Sequence, residues 1–85
     1  MKKIICIVED EKDLNELLKR YLEREGYEVR NYFYFDEAQE HVHDEDVHLW
    51  VLDIMLDDKS GFDLIEQIKE YRPNVPVVFM SARDK

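Results

Sequence analysis

The chain has 85 residues, 45% of them apolar, which is enough for one small domain with a real core and too few for two. With 12 basic residues against 21 acidic ones the formal net charge is -9, which argues against a nucleic-acid or anionic-membrane surface within this segment. One cysteine, Cys6, cannot close an internal disulfide, so the chain fits a reducing cytoplasm and the thiol reads as a buried structural one.

Met1-Lys2-Lys3 leads straight into Ile4-Ile5-Cys6-Ile7-Val8, an apolar, β-branched run too short for a signal peptide or a membrane span. Its unbroken apolar character suits a strand covered on both faces, as in a parallel sheet. Leu14, Leu17, Leu18, Tyr21 and Leu22 then recur at helical spacing. Asp10 or Asp13 is placed to cap that helix, and Gly26 stands where a left-handed residue would end it. Tyr27 to Tyr32 alternates and reads as an edge strand with one wetter face. Asp36 can cap a short helix through about His43, with Ala38 and Val42 inward. His48 to Leu52 is a third strand ending at Asp53, and Asp57 to Gly61 is a loop. Phe62, Leu64, Ile65, Ile68 and Tyr71 mark a third helix, broken at Pro73-Asn74. Val75 to Met80 is a fourth strand, with Pro76 tolerated near its start.

The order βαβαβαβ implies an α/β fold with a parallel sheet and right-handed crossovers. In such sheets the ligand site lies outside the carboxyl ends of the strands, where the strand order reverses. The residues at those ends are Glu9, Asp10, Asp53 and Ser81-Ala82. Three carboxylates gathered there repel one another, and a divalent cation is the usual compensation. Asp10 and Asp53 can bind magnesium directly, Glu9 through water, and the Met55 carbonyl is a further ligand. Asp53 can then attack phosphorus as a nucleophile, with Ser81 completing the phosphoryl cradle.

Each residue alone has a plainer reading. An aspartate after a strand is often only a helix cap, and Ser81 could be only a turn residue. Their combination at three strand ends carries the functional one. His41, His43 and His48 read as solvated residues away from the acidic edge rather than a metal cluster. The segment around Gly61 fails as a calcium loop, since Leu56 and Gln67 fall where it needs carboxylates. Tyr32-Phe33-Tyr34-Phe35 reads as strand-end packing, because no basic cluster surrounds it.

Four stretches together resemble the receiver domain of bacterial two-component response regulators: Ile5-Cys6-Ile7-Val8-Glu9-Asp10-Glu11, Val51-Leu52-Asp53-Ile54-Met55-Leu56, Ser60-Gly61-Phe62-Asp63-Leu64 and Pro76-Val77-Val78-Phe79-Met80-Ser81-Ala82. The resemblance runs the length of the chain and is closest in style to regulators with a C-terminal winged-helix DNA-binding domain. It implies a flavodoxin-like (CheY-like) doubly wound sheet with strand order 2-1-3-4. It implies that Asp53 accepts phosphate from a sensor histidine kinase. Glu9, Asp10, Asp53 and the Met55 carbonyl would hold Mg2+ (or Mn2+), Ser81 would contact the phosphoryl group, and Ala82 would leave access to it. DNA would be bound only by an output domain outside this segment, and the location would be the bacterial cytoplasm.

Two departures stand out. Asp57 occupies a place where the family usually has proline, and the family continues past Lys85 through a further helix, a lysine-bearing strand and a last helix. The 85 residues are therefore expected to form an incomplete receiver domain, with an exposed fourth-strand edge open to self-association. The rival readings are a phosphorylation-inert receiver-like interaction module, and a phosphatase of the haloacid dehalogenase type. The latter would need an aspartate where Met55 stands.

Overall fold

Ile5, Cys6, Ile7 and Val8 are all buried, as an unbroken apolar run requires, and they form the inner strand of a parallel sheet. The structure, a computed structural model, describes residues 2–56 and 59–80. Strand β1 (Ile4–Val8) pairs on one side with β2 (Glu28–Tyr32) and on the other with β3 (Leu49–Asp53). Strand β6 (Val77–Met80) adds beyond β3, so the order is β2-β1-β3-β6, all parallel. This is the expected 2-1-3-4 order of the four main strands. The chain leaves β1 for β2 on one side and crosses to β3 on the other. The strand order therefore reverses between β1 and β3, the two strands that lead into Glu9-Asp10 and Asp53.

Helix α1 (Lys12–Arg24) follows β1. Neither expected cap is used: Glu11 is the N-cap, without a side-chain cap bond, and Asp13 lies in the first turn. A carboxylate in the first turn still favours the helix dipole without capping an amide. Gly26 does close the helix as expected, with φ of 102°. Within the apolar stripe, Leu17 and Tyr21 are exposed, and the one buried residue of the helix is Asn15. Leu18 and Leu22 pack with Ile5, Ile7 and Val29 on this face of the sheet.

Helix α2 (Phe35–Gln39) is shorter than the sequence pattern suggests, and its N-cap is Tyr34 rather than Asp36. Asp36 sits in the first turn, and the Glu37 carboxylate accepts the Phe33 N–H instead. Ala38 and Val42 are inward as expected, Val42 beyond the helix end. Helix α3 (Gly61–Tyr71) buries Leu64 and Ile68, while Phe62 and Tyr71 are exposed. Together α2 and α3 cover the main core, built on Trp50, Leu52, Cys6 and Val8.

Between β3 and α3 the expected loop is partly a hairpin. Strand β4 (Met55–Leu56) pairs antiparallel with β5 (Lys59–Ser60). Leu56 is fully buried while Met55 is exposed, so the first of these strands is anchored in the core through Leu56. Ser60 then caps α3, its Oγ accepting the Phe62 N–H at 3.1 Å.

Candidate metal centre

Glu9 and Asp10 follow β1, and Asp53 ends the adjacent β3, so the parallel register carries all three to one edge of the sheet. One ligand oxygen from each lies within 4.8 Å of the others. Glu9 is 0% exposed, Asp53 3%, and Asp10 is half-buried. At that separation each pair of carboxylates repels by roughly 3 kcal/mol at an effective dielectric constant of about 20. A divalent cation among them would replace these repulsions with attractions. Two buried carboxylates and one more accessible one form an all-oxygen set that suits a hard cation and leaves an open side. Among the described residues this is the one group of three or more metal-ligating side chains.

The framework around it is specific. The Glu9 N–H donates to the Tyr32 carbonyl at 3.1 Å. The Glu9 carboxylate accepts the Glu11 N–H at 2.8 Å, which fixes one of its oxygens. Oδ1 of Asp53 accepts the Met55 N–H at 3.2 Å, so Met55 is tied directly to that aspartate. Asn15 Nδ2 donates to the Glu9 carbonyl and to the Tyr32 carbonyl, both at 2.9 Å. Asn15 was not singled out from the sequence. The available signal is its register: Asn15, Leu18 and Leu22 share one inward helical face, and a polar residue there needs a buried partner.

The structure brings the carboxylates of Glu9, Asp10 and Asp53 together, and Met55 meets Asp53 through its N–H. Ser81 and Ala82, and Asp57 in the loop, lie outside the described residues. The histidines make separate contacts. His41 stacks on Tyr32 and meets Asp44 at 2.9 Å, His43 tilts against Tyr71, and His48 Nδ1 accepts the Ile4 N–H. Cys6 is fully buried, and that burial pushes its thiol up to about 12, which keeps it protonated and unreactive at neutral pH.

Comparison with known proteins agrees with this geometry. The chain matches the response regulator receiver domain family over residues 5–85. It is 48% identical to the transcriptional regulatory protein CssR of Bacillus subtilis over 84 residues, covering 99% of this chain and 37% of that protein. A response regulator from Burkholderia pseudomallei, solved with a phosphorylated aspartic acid, a calcium ion and citrate, superposes with a TM-score of 0.88 at 26% identity. That match covers 99% of this chain and 49% of the other. The histidine kinase ThkA in complex with the response regulator TrrA gives 0.85 at 29% identity, covering 98% and 72%. The chain belongs to the response regulator receiver domain family, the signal-receiving part of two-component systems. It spans little more than a third of the length of the curated relatives it matches.

Proposed function

We propose that Asp53 is the phosphoacceptor of this receiver domain and takes its phosphoryl group from a phosphohistidine of a sensor kinase. The carrying observation is the convergence of Glu9, Asp10 and Asp53 within 4.8 Å at the edge where β1 and β3 end. A carboxylate oxygen of Asp53 attacks phosphorus. The phosphorus–nitrogen bond to the histidine breaks, its electron pair stays on the imidazole, and an acyl phosphate forms on Asp53. Glu9, Asp10, Asp53 and the Met55 carbonyl would hold Mg2+ (or Mn2+), which offsets charge on the transferring group. The Met55 amide orients the Asp53 carboxylate through Oδ1. Ser81 and Ala82 are assigned to contact with and access to the phosphoryl group.

The domain is a phosphoacceptor in signalling rather than a turnover enzyme, and it works in the bacterial cytoplasm. None of the helices among the described residues is long and apolar enough to cross a membrane. Its output is transcription, exerted by a DNA-binding domain outside this segment, in line with the name of the relative from Bacillus subtilis. The edge of β6, where Val78 is half-exposed, is assigned a role in self-association.

Intact mass after incubation with magnesium and a small phosphodonor tests this reading. One added phosphoryl group, absent from Asp53→Asn, is expected. A folded chain that gains no mass and binds no Mn2+ would instead be a phosphorylation-inert interaction module.

A further inference from the structure

We infer that Asn15 is a positioning residue for the cation, holding the Glu9 main chain so that the carboxylates of Glu9 and Asp10 face Asp53. The inference rests on the reading that these three carboxylates bind a divalent cation.

Asn15 is 0% exposed on a helix whose other residues all keep some solvent contact. Both its donors and its acceptor are engaged. Nδ2 donates to the carbonyls of Glu9 and Tyr32, each at 2.9 Å, and Oδ1 accepts from Asn31 Nδ2 at 2.9 Å. The Tyr32 carbonyl also accepts the Glu9 N–H at 3.1 Å. The flanking peptide groups of Glu9 are thus gripped at the N–H by β2 and at the carbonyl by α1, with Tyr32 as the shared anchor. Residue pairing between β1 and β2 ends at Val8 and Tyr32. Beyond it the chain turns out of the sheet at Glu9-Asp10, and these bonds determine where it points.

The two main-chain carbonyls fix the sense of the amide, because they can only accept: Nδ2 must face them, which leaves Oδ1 to accept from Asn31. A leucine at position 15 would keep the same branched outline, with bulkier ends, and favour the helix more. What the amide adds is direction, as outer groups do for ligands of a metal.

Mn2+ titration of the chain by electron paramagnetic resonance, beside thermal melting, tests this on Asn15→Leu, Asn31→Ala, Glu9→Gln and the Asn15→Leu/Glu9→Gln pair. At a temperature where circular dichroism shows each variant folded, Asn15→Leu is expected to weaken Mn2+ about tenfold, at the lower end of what loss of an outer group costs. Asn31→Ala should weaken it by less. If Asn15 acts through Glu9, its substitution adds little on the Glu9→Gln background, whereas an unrelated loss of stability would add in full. A folded Asn15→Leu that binds Mn2+ like wild type, or full additivity with Glu9→Gln, overturns the inference. If Asn15→Leu does not fold, Asn31→Ala decides: unchanged affinity overturns it, and weakened affinity supports it. A wild-type chain that binds no Mn2+, or binds it regardless of Glu9→Gln and Asp53→Asn, defeats the cation reading and this inference together.

Discussion

Gly61, the first residue of α3, lies directly against the main chain of Asp53. A Cβ built on Gly61 would approach the Asp53 carbonyl oxygen closer than the 3.0 Å that real Cβ atoms respect, and would crowd the Ile54 backbone as well. The Gly61 N–H is bonded to the Ile54 carbonyl. Helix α3 is therefore docked onto the main chain of Asp53.

Gly61→Ala should be among the most damaging single substitutions near the site. Its clash is with backbone, which cannot rotate away, so a loss of about 1–3 kcal/mol is expected from overpacking. The same displacement shifts Asp53 relative to Glu9 and Asp10. Urea unfolding should show the loss, and Mn2+ affinity should fall in the fraction that stays folded.

Alkaline pH should weaken the fold through Cys6 and Tyr32. Burial pushes the Cys6 thiol from 9.0 to about 12 and the Tyr32 hydroxyl from 10.0 to about 12. Both folded-state values are raised, so the folded chain keeps protons that the unfolded chain loses. Stability is full below pH 9 and falls as pH rises toward about 12. Cys6→Ala should flatten the first part of that fall in melts run from pH 8 to 11. Thiol labelling of the native chain at neutral pH should be slow for the same reason.

The opposite sign applies at Arg30 and Asp46. Their side chains form a two-pronged pair at 3.1 and 2.7 Å, and this bond to Arg30 holds the Asp46 carboxyl below its ordinary 3.8. Asp44 and Glu28 also face Arg30, at 3.9 and 3.6 Å. A depressed folded-state value gives stability that is present above pH 3.8 and lost as pH falls through the depressed value. Arg30→Gln should therefore lower the melting temperature at pH 6, with the gap to wild type closing below pH 3. A gap that stays constant across that range would assign the effect to the packing of the arginine stem instead.

Trp50 offers a cleaner test of packing. It is 0% exposed, stacks near Tyr32, and its indole N–H has no hydrogen-bond partner among the described residues. Trp50→Phe gives up volume but no hydrogen bond, so it should cost about 1–2 kcal/mol, against about 3–5 kcal/mol for Trp50→Ala. Chemical denaturation of the two variants separates a cavity cost from a polar one.

The strand order and the acidic edge were legible in the sequence because both follow from local pattern. Unbroken apolar runs suit strands of a parallel sheet, and Glu9, Asp10 and Asp53 stand directly after two of them. What was not legible depends on geometry across the chain. The caps were misassigned because Asp13 and Asp36 are reasonable caps on propensity, while tertiary packing placed them in the first turn. The β4–β5 hairpin was hidden because each of its strands is only two residues long, too short for any periodicity. Asn15 was hidden because its three partners lie at Glu9, Asn31 and Tyr32, and only the folded chain brings them together.

The register pairs Asp53 with Met80, the last described residue of β6. Asp53 is also braced by Gly61 through Ile54, and the hairpin between them is itself held to α2 by Lys59, which meets Asp36 at 2.8 Å. Ile54 and Lys59 are thus both tied down close to Asp53. Negative charge added to that carboxylate would push on a braced frame, and the neighbour directly across the sheet is Met80. A push at Asp53 would then be felt first at the carboxyl end of the neighbouring strand, as a shove on one plank is felt by the plank nailed beside it.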